Sequence, residues 1–504
     1  MTRSFKNAVS VILGVAIGIS VVLVYREITT TRVCVYFTND VHGHILPVSG
    51  TGGAAVLSNY LKGRKKPYLL LDAGDIFQGT PEGDLTNGEV CIRIMNELGY
   101  QAATVGNHEF DKGQERLKKF IDMANFPFLG ANVIDTATKE TVEWLKPYEI
   151  FEIKGVRIGV LGLTTSAMPF ITMPEVRKGL EFADEAETAK KYLPEIRKKA
   201  DVVIALTHIG LARKGEFRDD VYLAKNVPGI DAILGGHTHT RLYRPIYAGR
   251  TLIAQAGSYG NYVGKITIKM REHKLTGINY ELVNLSVKKF GEDAEMKNDI
   301  AEFTKDITAL MDKKVGVSVE KLGSNLSGRL EKNGELPLGD WQADVFRKMT
   351  GSDIAFQNIG GIRAAVPKGD VTYRDIYELS PFGNTIYTMM LTGKQVKDIL
   401  EKSVSGRFGI LQVSGLAFRY DLNRKEGERV VEISIGGSPL KPKKYYKAAT
   451  NAFIAKGGDD FETFTKGGEI TDTGMVDRDV EIQYLLKNPE IKAQIDGRIV
   501  NVTK

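Results

Sequence analysis

Five short polar blocks, each placed directly after a short apolar run, constrain this sequence more than any other feature. Four of the blocks contain histidine, and together they hold five of the seven histidines in a chain of 504 residues. Histidine, aspartate and asparagine are typical ligands of divalent metal ions, so the blocks predict a site for two such ions. The blocks are Asp40-Val41-His42, Gly74-Asp75, Gly106-Asn107-His108-Glu109, Thr207-His208 and Gly236-His237-Thr238-His239.

The apolar runs before the blocks are short, which is typical of buried parallel strands. They cover residues 33–37, 68–71, 102–105, 202–206 and 230–234. The segments between them are long enough for crossover helices, which we predict over residues 90–98, 113–123 and 185–199. This alternation predicts a layered α/β domain. Because open α/β sheets bind ligands at the carboxyl ends of their strands, the five blocks are expected to meet.

The ligand types narrow the choice of metal without deciding it. Imidazole suits Zn and Fe, and carboxylate oxygens suit Mg, Mn and Ca, so the mixed set favours Mn, Zn or Fe over Mg and disfavours Ca. Two cations about 3.5–4 Å apart repel each other and need a bridging anion. Asp75, whose block lacks histidine, is the predicted bridge.

Each block taken alone has an ordinary structural explanation, such as a capped turn or a surface loop. Five blocks at five strand ends favour the metal site, because chance would have to place most of the histidines there. The two histidines outside the blocks are interpreted separately. His273 is expected to be a solvated loop residue, and His44 is expected either to support a ligand or to pack structurally.

In this order the blocks resemble the motifs of the calcineurin-like metallophosphoesterases, and more narrowly those of the 5'-nucleotidase and UDP-sugar hydrolase family. The resemblance covers nearly all of the chain after Val33. It implies an α/β fold with an N-terminal four-layer metallophosphoesterase sandwich and a C-terminal α/β substrate-binding domain. The implied ligands are Asp40, His42, Asp75 and His239 for the first metal and Asp75, Asn107, His208 and His237 for the second.

His108 and Asp111 are the predicted catalytic pair. Phosphoryl transfer to a metal-activated water leaves an alkoxide that needs a proton. A carboxylate three residues after His108 can fix the tautomer of the imidazole and keep it protonated. The family resemblance implies the same pair. Asp111 is also interpreted as a cap or first-turn acid of the helix predicted from Gly113, and the two roles are compatible.

Three motifs in the second half resemble the carboxyl-terminal domain of the same nucleotidases. Residues 357–363 (Gln-Asn-Ile-Gly-Gly-Ile-Arg) are similar to its Asn-Gly-Gly-Gly-Ile-Arg segment, with Ile359 in place of the first glycine. Residues 380–384 (Ser-Pro-Phe-Gly-Asn) resemble its Pro-Phe-Gly loop. Residues 451–453 (Asn-Ala-Phe) and 457–459 (Gly-Gly-Asp) resemble its Asn-x-Phe and Gly-Gly-Asp pair.

These motifs imply a nucleotide pocket. Phe382 and Phe453 would sandwich a nucleobase, which stacks on aromatic faces at about 1–3 kcal/mol per base. Asp459 would accept hydrogen bonds from ribose hydroxyls, and Arg363 would bind phosphate. Asn358 is interpreted as a base contact and Arg329 as a second phosphate-binding arginine.

Composition argues against one class of partner, and the amino terminus predicts a cellular location. The net charge of +6 is spread along the chain, without a basic stretch interleaved with aromatics, so nucleic-acid binding is not expected. The two cysteines, Cys34 and Cys91, predict buried free thiols. Basic residues precede an apolar run over residues 8–25, as in secretory segments. We predict an uncleaved membrane anchor with an extracytoplasmic catalytic part, or else a cleaved signal that leaves the protein secreted or periplasmic.

The predicted division has four parts. Residues 1–32 form the anchor or signal segment with its spacer, and residues 33–290 form the dimetal phosphoesterase domain. An amphipathic linker helix lies within 291–315, where apolar residues recur at three- and four-residue steps at Ile300, Phe303, Ile307 and Leu310. A 5'-nucleotidase C-terminal domain follows over 316–504. The metal blocks and the pocket lie in different halves, so catalysis is expected to need closure of one half on the other.

The predicted function is that of an extracytoplasmic 5'-nucleotidase, a hydrolase acting on phosphate esters of nucleotides. Hydrolysis of UDP-sugars or of 2',3'-cyclic nucleotides on the same architecture stays an alternative. An alternative of another class is a catalytically silent surface-binding protein.

Overall fold

The computed structural model of the chain describes residues 30–211, 218–324 and 334–503. The predicted apolar segment over residues 8–25 and the predicted phosphate-binding Arg329 lie outside the described residues. Within the described ranges, no helix combines the length and the apolar character that crossing a membrane requires.

Two six-stranded sheets form the core of the amino-terminal half. The strands, in chain order, are β1 Thr31–Thr38, β2 Leu69–Asp72, β3 Ala102–Thr104, β4 Phe128–Leu129, β5 Val133–Asp135, β6 Tyr148–Ile153, β7 Val156–Thr164, β8 Leu180–Phe182, β9 Val202–His208, β10 Ala232–Gly235, β11 Ile246–Ala248, β12 Thr251–Gln255, β13 Tyr262–Arg271 and β14 Lys274–Asn284. The first sheet has the order β14-β13-β1-β2-β3-β4 and the second the order β11-β12-β10-β9-β7-β6. Each strand that precedes a block has a parallel neighbour, as predicted, although β1 also pairs antiparallel with β13. These strands are divided between the two sheets.

The two sheets pack face to face, and helices cover their outer faces. Alternate side chains of β1 therefore lie on opposite faces of the first sheet. Val33 and Val35 contact the second sheet, whereas Tyr36 contacts helices. Burial of such a side chain contributes about 1.5–3 kcal/mol. The helices on the first sheet are Ala54–Lys62, Glu89–Leu98 and Gln114–Met123, and those on the second are Glu185–Lys199 and Asp220–Asn226. This is the predicted four-layer sandwich.

Short helices occupy the connections of the amino-terminal half. They are Pro81–Leu85, Met168–Ile171 and Val287–Phe290, with single 3₁₀ turns at His108–Phe110 and Pro174–Arg177. The turn at His108 lies directly in the third polar block. Because it begins immediately after Asn107, it turns the chain sharply at the sheet edge and presents successive side chains to the same space.

A helix spans Ala294–Met311, inside the predicted linker range. Ile300 is buried against the amino-terminal domain, and Phe303 packs beside it. Leu310, predicted on the same apolar face, is 44% exposed, so the hydrophobic stripe ends before the helix does. The proposed domain boundaries stay predictions.

The carboxyl-terminal half is an α/β domain around a five-stranded sheet of order β19-β16-β23-β18-β24. Its strands are β15 Lys314–Ser318, β16 Ile354–Gln357, β17 Gly369–Thr372, β18 Thr385–Thr392, β19 Gln412–Ser414, β20 Leu416–Tyr420, β21 Val430–Ile435, β22 Ser438–Pro439, β23 Tyr445–Asn451, β24 Gly468–Val476, β25 Glu490–Ile491 and β26 Ile499–Asn501. Its helices are Pro337–Thr350, Tyr373–Leu379, Gly393–Ser403, Ala452–Ala455 and Asp477–Lys487, with 3₁₀ turns at Ile359–Gly361, Gly458–Asp460 and Glu462–Lys466. Apolar clusters pack on both faces of the sheet, which confirms the predicted fold class.

The two histidines outside the polar blocks and the two cysteines occupy packing or surface positions. Cys34 and Cys91 are free thiols, with Cys91 buried and Cys34 only partly buried. His273 is exposed in the turn between β13 and β14, as predicted. His44 packs on Tyr259 with ring centroids 4.4 Å apart, and burial lowers its pKa to about 4. His44 is therefore a neutral packing residue.

Candidate two-metal active site

The five polar blocks converge where the two sheets present their carboxyl edges. Asp40, Asp75 and Asn107 follow strands of the first sheet, whereas His208 ends β9 and His237 follows β10 of the second. The site therefore lies across the sandwich rather than at the edge of a single sheet. Both sheets must pack in register for the blocks to meet.

The side chains of the blocks form two adjacent groups. One contains Asp40, His42 and His239 and the other contains Asp75, His208 and His237, each with ligand atoms within 4.8 Å of one another. The carboxylate of Asp75 lies between them, with Oδ2 at 3.0 Å from Nε2 of His208 and 3.7 Å from Nε2 of His42. Asn107 completes the second group, its Oδ1 lying 2.9 Å from Nδ1 of His237. The structure thus brings together all seven predicted ligands.

Hydrogen bonds fix two of the imidazoles in a form that suits metal binding. Nδ1 of His42 lies 2.8 Å from the carbonyl oxygen of Gln78, and Nδ1 of His208 lies 2.7 Å from that of Ala73. Since a carbonyl only accepts, Nδ1 carries the proton and Nε2 presents a lone pair to the site. The site fits a divalent cation because these lone pairs face other acceptors.

Asp75 and His208 form a buried, strongly interacting pair at this centre, with Oδ2 and Nε2 3.0 Å apart. Burial lowers the pKa of His208, but the charge of Asp75 outweighs it and raises the pKa to about 10. His237 behaves oppositely: burial, followed by the charge of His208, lowers its pKa to about 3. Metal binding would therefore displace a proton from this pair.

The backbone of the blocks is held in the left-handed region at five non-glycine positions. The φ angles are 50° at Asp40, 52° at His42, 59° at Asp75, 80° at His237 and 53° at His239. Such a conformation costs about 1–3 kcal/mol per residue and is maintained only where surrounding contacts enforce it. Its concentration at the ligands indicates that ligand geometry, rather than stability, shapes these loops.

Glu109 enforces the geometry of two blocks, although no motif predicted this role. Its fully buried carboxylate accepts the backbone N–H of Asp75 at 2.8 Å, of Ile76 at 2.8 Å and of Gly106 at 2.6 Å. A Cβ at position 106 would lie 2.2 Å from Oδ1 of Asp75, so only glycine fits there. The acid directly after His108 in the third block was the available sequence signal.

His108 and Asp111 form the predicted pair beside these groups. Nδ1 of His108 lies 2.7 Å from Oδ2 of Asp111, and the backbone N–H of His108 donates to Oδ1 of Asp75 at 2.9 Å. Burial lowers the pKa of His108, but the charges of Asp111 and Asp75 outweigh it and raise the pKa above its ordinary value. The interpretation of Asp111 as a helix cap is wrong, because Gly113 occupies that position without a side-chain cap.

A cavity of about 380 Å³ joins this centre to the carboxyl-terminal domain. Five of the six predicted substrate-binding residues line it together with the catalytic pair; these five are Asn358, Arg363, Phe382, Phe453 and Asp459. The ring of Phe382 stacks on that of His108, with centroids 5.4 Å apart and planes at 22°. The guanidinium of Arg363 lies 5.5 Å from the centroid of the Phe382 ring. Phe382 therefore contacts the metal domain directly in this conformation.

The carboxylate of Asp459 is held in place by its backbone conformation and by Asn358. Its backbone is left-handed with φ 52°, and its Oδ2 accepts from Nδ2 of Asn358 at 2.8 Å. Burial raises the pKa of Asp459 to about 7, against the lowering effect of that hydrogen bond. Asn358 therefore orients Asp459 as well as lining the cavity.

One wall of the cavity comes from a loop of the amino-terminal domain that carries no recognisable motif. Ile171, Met173 and Val176 supply apolar surface there. Lys456 also lines the cavity, and its Nζ lies 3.1 Å from Oε1 of Glu175 in that loop. Sequence alone could not indicate this wall, since its residues meet the pocket only through the packing of the two halves.

A further carboxylate group, Glu335, Asp340 and Asp496, lies in the carboxyl-terminal half. Glu335 accepts three backbone N–H groups, and Arg498 pairs with Asp496 at 2.9 Å. Asp340 accepts the backbone N–H of Val413 at 3.4 Å, so structural partners account for all three carboxylates. We assign the group no functional role.

Comparison with known proteins identifies the family. Residues 35–241 match the family described as calcineurin-like phosphoesterase, and residues 314–466 match the 5'-nucleotidase C-terminal domain. A 5'-nucleotidase of Vibrio cholerae is 31% identical to the chain over 92% of the chain and 91% of that protein. This chain belongs to the 5'-nucleotidase family. It is accordingly a hydrolase of phosphate esters, and the family implies divalent metal ions.

Two further relatives of the 5'-nucleotidase family support the assignment. The crystal structure of a 5'-nucleotidase precursor from Thermus thermophilus matches with a TM-score of 0.84 and 31% identity, over 94% of this chain and 99% of that chain. The trifunctional nucleotide phosphoesterase protein YfkN of Bacillus subtilis is 33% identical over 93% of this chain. The present chain spans only 35% of the length of that protein.

Proposed function

We propose that this protein is an extracytoplasmic 5'-nucleotidase that removes phosphate from nucleoside 5'-phosphates with two bound divalent metal ions. One observation carries the proposal. A single cavity contains metal-type ligands, the His108–Asp111 pair and the nucleoside-binding side chains of the second domain. A nucleotide placed there has its phosphate at the ligands and its nucleoside between the domains.

The donor set supports Mn, Zn or Fe rather than Mg, and it disfavours Ca. Each group combines one carboxylate with two imidazoles, and imidazole favours these metals over the hard alkaline-earth ions. Asp75 supplies the shared ligand. When bound, two such ions supply a water of lowered pKa and offset charge on the phosphoryl oxygens.

His108 donates the proton that the leaving 5'-oxygen requires. The negative charge of Asp111 keeps the imidazole protonated, and the 2.7 Å hydrogen bond fixes Nδ1 as the donor to Asp111. Nε2 therefore carries the transferable proton, His108 lines the cavity, and its backbone N–H is anchored on Asp75. A positioned general acid of this kind contributes about 100- to 10,000-fold to the rate.

Arg363 binds the phosphate group. Burial and, next in size, the positive charge of Arg363 lower the pKa of His239 well below its ordinary value, so the guanidinium acts directly on the metal-type group. A guanidinium forms paired hydrogen bonds with phosphate oxygens. Asp459 accepts the ribose hydroxyls, and Phe382 and Phe453 stack on the base.

Turnover requires the two domains to separate and close again. In the present arrangement Phe382 stacks on His108, and Arg374 of the second domain pairs with the buried Glu82 of the first at 2.7 Å. A nucleobase cannot occupy the Phe382 face that contacts His108 without parting these surfaces. Substrate entry therefore requires an open state, and the linker helix Ala294–Met311 is the proposed hinge.

The proposed location rests on the sequence of the amino terminus. Basic residues precede the apolar run over residues 8–25, which supports an uncleaved anchor, with a cleaved signal as the alternative. Membrane fractionation of the full chain, followed by amino-terminal sequencing, distinguishes the two. A full-length protein found only in the cytoplasm would contradict both.

The test of function is a substrate panel. Protein from Thr31 onward is incubated with AMP, ATP, UDP-glucose and 2',3'-cAMP in the presence of Mn, Zn or Mg. Released phosphate is measured and the organic products are separated by chromatography, because first cleavage of UDP-glucose or of the cyclic phosphate releases no inorganic phosphate. We expect metal-dependent release with AMP as a substrate. UDP-glucose or 2',3'-cAMP alone as the substrate would replace the proposed activity by the corresponding alternative. No cleavage of any of the four would refute the nucleoside pocket.

A further inference from the structure

The Phe382 loop is fastened to one helix of the carboxyl-terminal domain. Asp477, at the start of the helix Asp477–Lys487, donates its backbone N–H to the carbonyl of Asn384 at 2.8 Å. Nη1 of Arg478 donates to the carbonyl of Pro381 at 3.1 Å. One turn later, Glu481 accepts from Oγ of Ser380 at 3.0 Å. The helix therefore contacts the loop on both sides of Phe382.

A chain of buried side-chain hydrogen bonds begins on the opposite side of the pocket, at Asp459. Asp459 accepts from Asn358, and Asn358 accepts from Nδ2 of Asn451 at 2.8 Å. Nδ2 of Asn451 also donates to Oε1 of Gln357 at 2.8 Å. These groups are almost entirely buried, so each one depends on its neighbours to satisfy its polar atoms.

Gln342 connects the two sets of contacts. Its Oε1 accepts from Nε2 of Gln357 at 3.3 Å, and its Nε2 donates to Glu481 and to Oγ of Ser380, both at 2.7 Å. A continuous hydrogen-bonded chain therefore runs from the carboxylate of Asp459 to the Phe382 loop. Neither Gln342 nor Glu481 lines the cavity itself.

We propose that Gln342 and Glu481 are positioning residues that set the spacing between the ribose-binding carboxylate of Asp459 and the base-stacking ring of Phe382. The proposal rests on the proposed function, because it assigns these two groups to one nucleoside. Both residues are fully buried, so losing either leaves polar groups without partners that water cannot replace. The loops would then shift to satisfy those groups.

The charge state of Glu481 is consistent with its place in this buried hydrogen-bonded chain. Burial, followed by the charge of Asp477, raises the pKa of Glu481 well above its ordinary value. A neutral carboxylic acid both donates and accepts, so it can satisfy Ser380 and Gln342 without placing an unpaired charge in the core. Glutamine has the same shape and also offers a donor and an acceptor. Glu481→Gln should therefore keep the link, whereas Glu481→Leu removes it.

The test compares a nucleotide with a substrate that has no ribose. KM and kcat are measured for AMP and for p-nitrophenyl phosphate with the metal-loaded enzyme. For Gln342→Leu and Glu481→Leu we expect the ratio of the two kcat/KM values to move about tenfold against AMP, mainly through KM. Glu481→Gln should move it much less. An equal loss for both substrates, or an unchanged ratio, would overturn the proposal.

Glu401 supplies the matched control. It is also buried in the carboxyl-terminal domain, where its carboxylate accepts the backbone N–H groups of Arg429 and Val430 at 2.9 and 3.0 Å. Glu401→Leu removes a comparable buried acid that has no link to either loop. The same change of ratio in this variant would show a general loss of stability and would also overturn the proposal.

A milder variant keeps the test decisive if the leucine variants fail to fold. Ser380→Ala removes one hydroxyl from the chain, and the affinity for adenosine is then measured by calorimetry. Weakened adenosine binding with an unchanged melting temperature supports the proposal, and unchanged binding contradicts it. Lack of AMP hydrolysis by the unmodified enzyme would instead refute the proposed function, so the two failures are distinguishable.

Discussion

The metal centre and the nucleoside pocket are built in opposite ways. Each metal-type ligand lies within a few residues of a strand end, and the ligands and their loops are held through backbone groups. The carbonyls of Gln78 and Ala73 orient His42 and His208, and Glu109 accepts the amides of Asp75 and Gly106. The pocket instead depends on side chains that hold other side chains, as Asn358 holds Asp459. A backbone-held site tolerates little movement, whereas a site built from side-chain contacts can be adjusted. We propose that the backbone-held part performs the chemistry and that the part held by side chains selects the substrate.

Removal of the shared carboxylate should have the largest effect. Asp75→Asn takes the bridging charge from both groups, so turnover should fall to background and bound metal should be lost. Metal analysis by mass spectrometry and phosphate release check this. Asp122→Asn, at an exposed position, is the matched control. Retention of both metals with normal turnover would show that Asp75 is not the bridge.

Loss of the proton donor comes next and separates chemistry from metal binding. His108→Ala should lower kcat for AMP by about 100- to 10,000-fold while metal content stays near normal. p-Nitrophenyl phosphate should suffer less, since its leaving group needs little protonation. An equal loss for the two substrates would argue against a role as general acid.

Glu109→Gln tests whether the hydrogen bonds between Glu109 and the backbone hold the metal-ligand loops in place. The variant keeps the shape of Glu109 but weakens its hydrogen bonds to the Asp75 and Gly106 amides, so metal affinity should fall by about 10- to 100-fold. Titration with a chelator measures the change. Excess metal should restore most of the turnover; failure to do so would mean that Glu109 acts on more than metal retention.

The affinity of the pocket for a nucleoside should depend on pH near 7, a range in which the free nucleoside does not titrate. Because burial raises the pKa of Asp459 to about 7, its carboxylate is ionised above that pH and protonated below it. Adenosine affinity should therefore weaken by about tenfold as the pH falls through 7. Calorimetry from pH 5.5 to 8.5 measures this, and Asp459→Asn should give a flat profile. A wild-type profile equally flat would exclude Asp459 as the ribose acceptor.

The smallest effect is expected at the exposed contact between the domains. Lys456 and Glu175 are both partly solvated, so their ion pair contributes at most about 1 kcal/mol. Lys456→Gln should change KM for AMP by no more than about fivefold, and the change should shrink in high salt. An effect well above fivefold that persists in high salt would show that Lys456 does more than pair with Glu175.

The same contrast explains what could be predicted from sequence. Parallel strands and ligand blocks are predictable because the apolar runs and the chemical types of ligands are local features. The division of the blocks between two sheets was not predicted, since an apolar run does not show which sheet its strand joins. The exposure of Leu310 was likewise missed, because periodicity shows a helical face but not what covers it.

The limit of prediction from sequence is clearer in the nucleoside pocket. Phe382, Phe453 and Asp459 were predicted through a resemblance, not from any local pattern that requires a pocket. The apolar wall at Met173 and the link through Gln342 depend on residues that are far apart in sequence and carry no motif. Only the packing of one element on another places them, so no local signal exists for them.

The stacking of Phe382 on His108 has a consequence for changing this enzyme. The ring that is proposed to select the base also forms part of the surroundings of the proton donor. A substitution made to accept another base would alter the solvation of that imidazole at the same time. Substrate range and rate are therefore not independent traits in this fold, and a library that varies Phe382 alone should trade one against the other.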